Sequence, residues 1–117
     1  KFDNKAYMMS GKFWANNHTH VLKAIEGKGS NKFILHLLNF LDLNPYIVGT
    51  TRKKLNQEHM RRIIIPLPPL QEQQKIAEIL STIDKKLELL RNEIAKLERT
   101  KKGLMDLLLT GKIRVKL

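Results

Sequence analysis

Residues 63–74 read Ile63-Ile64-Ile65-Pro66-Leu67-Pro68-Pro69-Leu70-Gln71-Glu72-Gln73-Gln74, and they run without a break into an apolar heptad. From Ile76 the apolar side chains fall alternately four and three residues apart: Ile76, Leu80, Ile83, Leu87, Leu90, Ile94 and Leu97. After Lys101 the pattern resumes at Leu104 and Leu108. A mean step of about 3.5 residues is the coiled-coil period, which keeps one seam turned toward a partner helix. Pro66, Pro68 and Pro69 fit neither a ladder nor a helix interior, so they predict a stiff elbow. The stretch therefore joins a strand-rich, basic module to a long association helix.

Working back from the elbow, short strands and loops are expected. Ala6–Met9, Ser10-Gly11-Lys12 and Phe13-Trp14-Ala15 read as a hairpin around a glycine turn, with Trp14 in the core. Asn16-Asn17 is a second turn signal, and His18–Leu22 reads as another strand. Gly27-Lys28-Gly29-Ser30 reads as a loop. Asn31 is placed to cap a helix running to about Leu43, since Phe33, Ile34, Leu37, Leu38 and Leu41 recur at helical spacing. Asn44-Pro45 would stop that helix. Tyr46-Ile47-Val48 resembles a buried strand, residues 49–54 a basic loop, and Asn56 the cap of a single turn before a last strand, Ile63-Ile64-Ile65.

Beyond the elbow, Pro69 suits a first helical residue, and Glu72 lies in the first turn against the helix dipole. Ser81 and Asp84 are spaced like a capping box. A short helix to about Leu80 is therefore expected, then a long one from about Thr82 to Leu109, the alternative being one unbroken helix. Gly111 suits the left-handed residue that ends a helix. The tail Lys112-Ile113-Arg114-Val115 alternates like a strand. The expected fold class is α+β: a small mixed domain over residues 1–68, and a helical region over 69–117 that forms a coiled-coil spacer.

Composition sets the class of partner. The 117 residues carry a formal net charge of +11, which favours polyanions. Up to Arg62 there are 11 basic and 4 acidic residues, and from Ile63 onward 11 and 7, so the excess concentrates in the non-heptad part. There is no cysteine, hence no thiolate metal site, and a reducing cytoplasmic setting is the expectation. No apolar run approaches the roughly 18 residues of a membrane span, and no signal peptide is read. The chain starts at Lys1 without a methionine, and a piece of something longer is expected.

Ten seam positions hold nine Leu or Ile residues, and burying each contributes roughly 1.5–3 kcal/mol. Ile83, Leu87, Leu90, Ile94, Leu97, Leu104 and Leu108 are the expected coiled-coil interface. Lys101 is the exception, of the kind that sets register or orientation. Asp84, Lys86, Arg91, Glu93 and Glu98 flank the seam as partner-selecting charges. The competing reading docks this helix on its own domain.

Catalytic readings find little support. His18 and His20 share a strand face as a metal pair, but no third ligand stands at a suitable spacing. Gly27-Lys28-Gly29-Ser30 lacks the context of a phosphate-binding loop. Asp3, Glu26, Asp42 and Glu58 are scattered. Neither an enzyme, nor a metal site, nor a cofactor is expected.

The run from Ile64 to Gln73, followed by Ile76-Ala77 and Leu80, resembles the end of a target recognition domain in the specificity subunit of type I restriction-modification enzymes. Leu107-Leu108-Leu109-Thr110-Gly111-Lys112-Ile113-Arg114-Val115 is similar to the close of that family's conserved helical region. Residues 11–18 and 49–56 also match the family's habits. The resemblance implies two recognition domains separated by antiparallel conserved helices that act as a ruler between the halves of a split DNA site. It places methyl transfer and ATP-driven cleavage in separate subunits. The present chain departs from that pattern, with part of one recognition domain and one helical region.

The implied partners are double-stranded DNA, the modification (methyltransferase) subunits, restriction subunits in the full complex, and a second conserved helix from the same subunit or another copy. Base readout uses Arg or Lys on guanine and Asn or Gln on adenine, whereas phosphate contacts only position the protein. Arg52, Lys53 and Lys54 are the first candidates for DNA contact, then Lys12, Asn16 and Asn17, against the plain alternative of solvated turns. Lys23, Lys28 and Lys32 are candidates for phosphate, and Arg61 and Arg62 serve equally well to blunt a strand edge. The alternative function is a non-catalytic scaffold with a basic nucleic-acid-binding head and a dimerising coiled coil.

Overall fold

The computed structural model describes residues 5–117. Its elements in chain order are α1 (Asn31–Phe40), a 3-10 turn at Asn44–Tyr46, α2 (Gln57–Arg61) and α3 (Leu70–Leu109). Two compact units divide it, Lys1–Ile79 and Leu80–Leu117.

The α+β expectation is overturned. Among the described residues there is no sheet, only an isolated antiparallel bridge between Val48 and Lys54. Of the segments read as strands, 46–48 pairs only through Val48 in that single bridge, and 6–9, 13–15, 18–22, 63–65 and the tail 112–115 are irregular, turn or bend backbone. The reason is that β-propensity describes fitness for a pleated, half-buried surface, and it yields a strand only beside another strand. Residues 63–65 illustrate this. Ile63 and Ile65 are half-buried while Ile64 is 88% exposed, which is the side-chain alternation of a strand without its ladder. Trp14, expected in the core, is 95% exposed.

Side-chain amides satisfy backbone groups where ladders were expected. Asn39 Oδ1 accepts from the N–H groups of Lys5 (2.8 Å) and Ala6 (2.9 Å), and its Nδ2 donates to the Ala6 carbonyl at 3.1 Å. Asn31 Oδ1 accepts from Ala24 N–H at 2.7 Å. Asn31 is thereby inside α1 and not its cap. That position belongs to Ser30, whose hydroxyl accepts from Phe33 N–H at 3.4 Å. The helix stops at Phe40, short of Leu43, with Leu41 in extended conformation. Asp42 accounts for this, because its carboxylate accepts from the Asn44 N–H at 3.0 Å and Nδ2 at 2.7 Å. Such a local side-chain bond competes with helix continuation. Asn56 caps α2 through His59 N–H at 2.9 Å.

The core of the first unit is small: among the described residues Phe33, Leu43, Ala77 and the polar Gln73 are buried. The α3 helix starts at Leu70, one residue after Pro69, whose carbonyl accepts from Gln73 N–H at 3.0 Å. It is continuous through Ser81, so the expected break there does not occur. A serine costs only a few tenths of a kcal/mol in a helix interior, which the flanking good helix formers outweigh. Forty residues at about 1.5 Å each give a helix about 60 Å long. It ends at Leu109, and the chain turns away at Gly111, where φ is +74° and Ile113 N–H returns to the Leu107 carbonyl at 3.0 Å, a left-handed glycine stop.

Candidate nucleic-acid interface

A loop between Val48 and Lys54 projects from the first unit. These two residues exchange both backbone hydrogen bonds at 2.8 Å, which closes Gly49-Thr50-Thr51-Arg52-Lys53 into a hairpin-like projection. Gly49 adopts φ +106°, and a Cβ there would stand 2.4 Å from the Arg52 carbonyl oxygen. Only glycine fits so close an approach in that conformation. Residues 48–54 are all exposed, so Arg52, Lys53 and Lys54 are presented on a loop whose base is closed.

The second group of candidates lies on two turns. Lys12 follows Gly11, which takes φ +76° at a bend. Asn16 organises the next turn: its Oδ1 accepts from His18 N–H at 3.0 Å and Thr19 Oγ1 at 2.9 Å, and its carbonyl accepts from Thr19 N–H at 3.2 Å. That acceptor is thus engaged in the turn itself, while Asn17 is exposed beside it. His20, read as half of a metal pair, has Nε2 2.6 Å from the Leu55 carbonyl oxygen. Its ring ties the segment after the Asn16 turn to the residue that follows the basic loop. Among the described residues no group of three or more His, Asp or Glu side chains gathers as a metal site would require.

Of the other basic candidates, Arg62, the residue that caps the end of α2, pairs with Glu58 four residues back at 2.5 Å, both side chains largely exposed, an arrangement worth little energetically. Arg61 is exposed, as are Lys23, Lys28 and Lys32.

In the second unit the heptad seam faces solvent. Ile83, Leu87, Leu90, Ile94, Leu97, Leu104 and Leu108 are all between 41% and 62% exposed. A row of large apolar side chains this long is the kind of surface that proteins use for association. Lys101 sits within it, in an open depression also lined by Leu97, Leu104 and Leu108. No described helix is long and apolar enough to cross a membrane.

Sequence reasoning missed Gln73, Asn39 and His20 as structural ties. Gln73 had left a trace: continuing the four–three alternation backward from Ile76 lands on it, a polar residue at a seam position. Asn39 and His20 left none, because their partners are backbone groups more than thirty residues away.

Residues 4–99 match the family described as type I restriction modification DNA specificity domain. A Haemophilus influenzae protein named as a type I restriction enzyme specificity subunit is 42% identical over 73 residues, covering 62% of this chain and 19% of its own length. Two Methanocaldococcus jannaschii proteins named as the MjaX and MjaVIII specificity subunits are 40% identical over 99 residues and 44% over 75. They cover 81% and 64% of this chain, and 23% and 18% of their own lengths. The chain therefore spans about a fifth of the length of these relatives. No solved structure matches it significantly. With residues 4–99 matched and 40% identity across 81% of the chain, it belongs to the type I restriction-modification DNA specificity family.

Proposed function

We propose that this chain is a DNA-reading segment of a type I specificity subunit, contributing recognition of one half of a split target. Its long helix docks a second conserved helix and the modification subunits, with restriction subunits joining the full complex. The chemistry on DNA belongs to those partners, and this chain is non-catalytic. The observation that carries the reading is the closed basic loop. Arg52 and Lys53 stand on a backbone held by the Val48–Lys54 pair and by Gly49, so little backbone entropy is lost when they engage a groove. The basic excess of the first part supplies attraction to phosphate. The exposed seam supplies the assembly surface.

The test is selection from random duplexes by the intact subunit assembled with its modification partner, at two salt concentrations. Enrichment of a split motif that survives the higher salt supports sequence reading. Binding without enrichment that fades as salt rises means phosphate attraction alone, and it returns the protein to the scaffold reading.

A further inference from the structure

His20 Nε2 stands 2.6 Å from the Leu55 carbonyl oxygen, across 35 residues of chain. A carbonyl can only accept, so Nε2 carries the proton and donates it. The acceptor lies at the outgoing end of the basic loop. Lys54, one residue before Leu55, exchanges both backbone hydrogen bonds with Val48. Asn56, one residue after, caps α2 through the His59 N–H. Those bonds stay within residues 48–59 and shape the loop, whereas the His20 bond ties it to a segment outside that stretch. That segment is itself held. Just upstream of His20, Asn16 Oδ1 accepts from His18 N–H and from Thr19 Oγ1, so the imidazole extends from a backbone already fixed in a turn.

We infer that His20 is a positioning residue for base reading: by holding the Leu55 carbonyl it sets the basic loop beside the Asn16–Asn17 turn, so that Arg52 meets base edges on the stretch of duplex that the turn also meets. The inference rests on the function proposed above. Asn17 lies three residues before His20, and Lys54 one before Leu55. Four peptide steps of about 3.8 Å, with an imidazole and one hydrogen bond between them, put the Cα atoms of Asn17 and Lys54 within about 25 Å. That span is about seven base pairs at roughly 3.4 Å each, so one short stretch of duplex reaches both. Without the tie the loop keeps its closed shape and gains freedom to move against the turn.

A donor at the Nε2 position is what the site asks of residue 20. Glutamine carries an amide N–H at nearly the same reach from its Cα, and phenylalanine keeps a flat ring with no donor. His20 is exposed, as are Asn17, Arg52 and Lys53. Removing the donor therefore cuts a tie and leaves no hole in the core. A net hydrogen bond changes an equilibrium by roughly 2- to 13-fold, a range that titration on matched and mismatched duplexes resolves.

The experiment uses the intact specificity subunit assembled with its modification partner, titrated with the selected duplex and with singly mismatched duplexes. His20→Phe is expected to cut discrimination by about threefold or more at the base positions that Arg52→Ala relaxes, and His20→Gln to restore it. Combined with Arg52→Ala, His20→Phe should add no further loss at those positions, because both changes act through one loop. An equal loss on every duplex, a loss that adds to that of Arg52→Ala, or unchanged binding would overturn the inference. Should His20→Phe fail to fold, His20→Ala takes its place and the same outcomes decide. If Arg52→Ala itself relaxes no base position, the loop does not read bases, and that part of the functional reading fails together with the inference. A loop that reads bases whatever stands at residue 20 defeats the inference alone.

Discussion

Gly49 lies against Arg52 so closely that a methyl group on its Cα would stand 2.4 Å from the Arg52 carbonyl oxygen. With φ at +106°, the position is closed to other residues on both counts. Gly49→Ala is expected to cost about 1–3 kcal/mol at this site, which is enough to open the loop without unfolding the chain. Amide hydrogen exchange at Val48 and Lys54 should accelerate, and DNA affinity should fall. Unchanged protection of those two amides would show that the loop tolerates the methyl group and that its closure does not depend on Gly49.

Arg52→Ala and Lys53→Ala separate base contact from phosphate contact. A residue paired to a base edge loses about 1–3 kcal/mol of binding, with discrimination relaxed at one position of the target. A phosphate contact instead weakens binding across all sequences and reduces the salt slope by about one unit. Titrations at several salt concentrations on cognate and singly mismatched duplexes distinguish them. If neither substitution changes affinity, the loop does not touch DNA.

Asn39→Leu tests whether an amide does the work of a missing strand. Asn39 holds the backbone of Lys5 and Ala6 through three hydrogen bonds. The leucine keeps the bulk on a half-buried helix face and leaves those backbone groups to water. Exchange at Ala6 should rise by roughly tenfold or more if about 1.5 kcal/mol of local protection is lost. Exchange within α3 should stay as it was. A uniform rise across the first unit would mean that Asn39 supports the whole fold and not one segment.

What the sequence made legible divides along the same physical line. The heptad from Ile76 to Leu108, the proline elbow, the Asn56 cap and the Gly111 stop depend on neighbours within a few residues, and each stands where the pattern placed it. Strands depend on partners far along the chain. For Ile63-Ile64-Ile65 β-branched composition was present and the partner was not, and Tyr46-Ile47-Val48 pairs only through the single Val48–Lys54 bridge. The Ser81 break failed for a different reason, since a capping-box spacing cannot by itself interrupt a helix already propagating from Leu70. At the candidate site, the sequence marked the 49–54 loop by its glycine and its three cations. It carried no sign that Val48 and Lys54 would close it.

The seam gives the remaining prediction. Leu90 and Leu97, 45% and 62% exposed, lie two turns apart on one face of α3, and they gain burial only against another helix. Each leucine transferred from water contributes roughly 1.5–3 kcal/mol, so replacing both with aspartate removes that gain and sets two carboxylates in an apolar interface. Leu90→Asp with Leu97→Asp should therefore lower the mass of the associated species in sedimentation to that of a single chain, at concentrations where wild type is paired. Helical circular dichroism should fall with it, because a long helix draws most of its stability from packing. A wild type that sediments as one chain, unaffected by the two substitutions, would mean that this face meets no second copy, leaving a helix of the same subunit or a modification subunit to cover it.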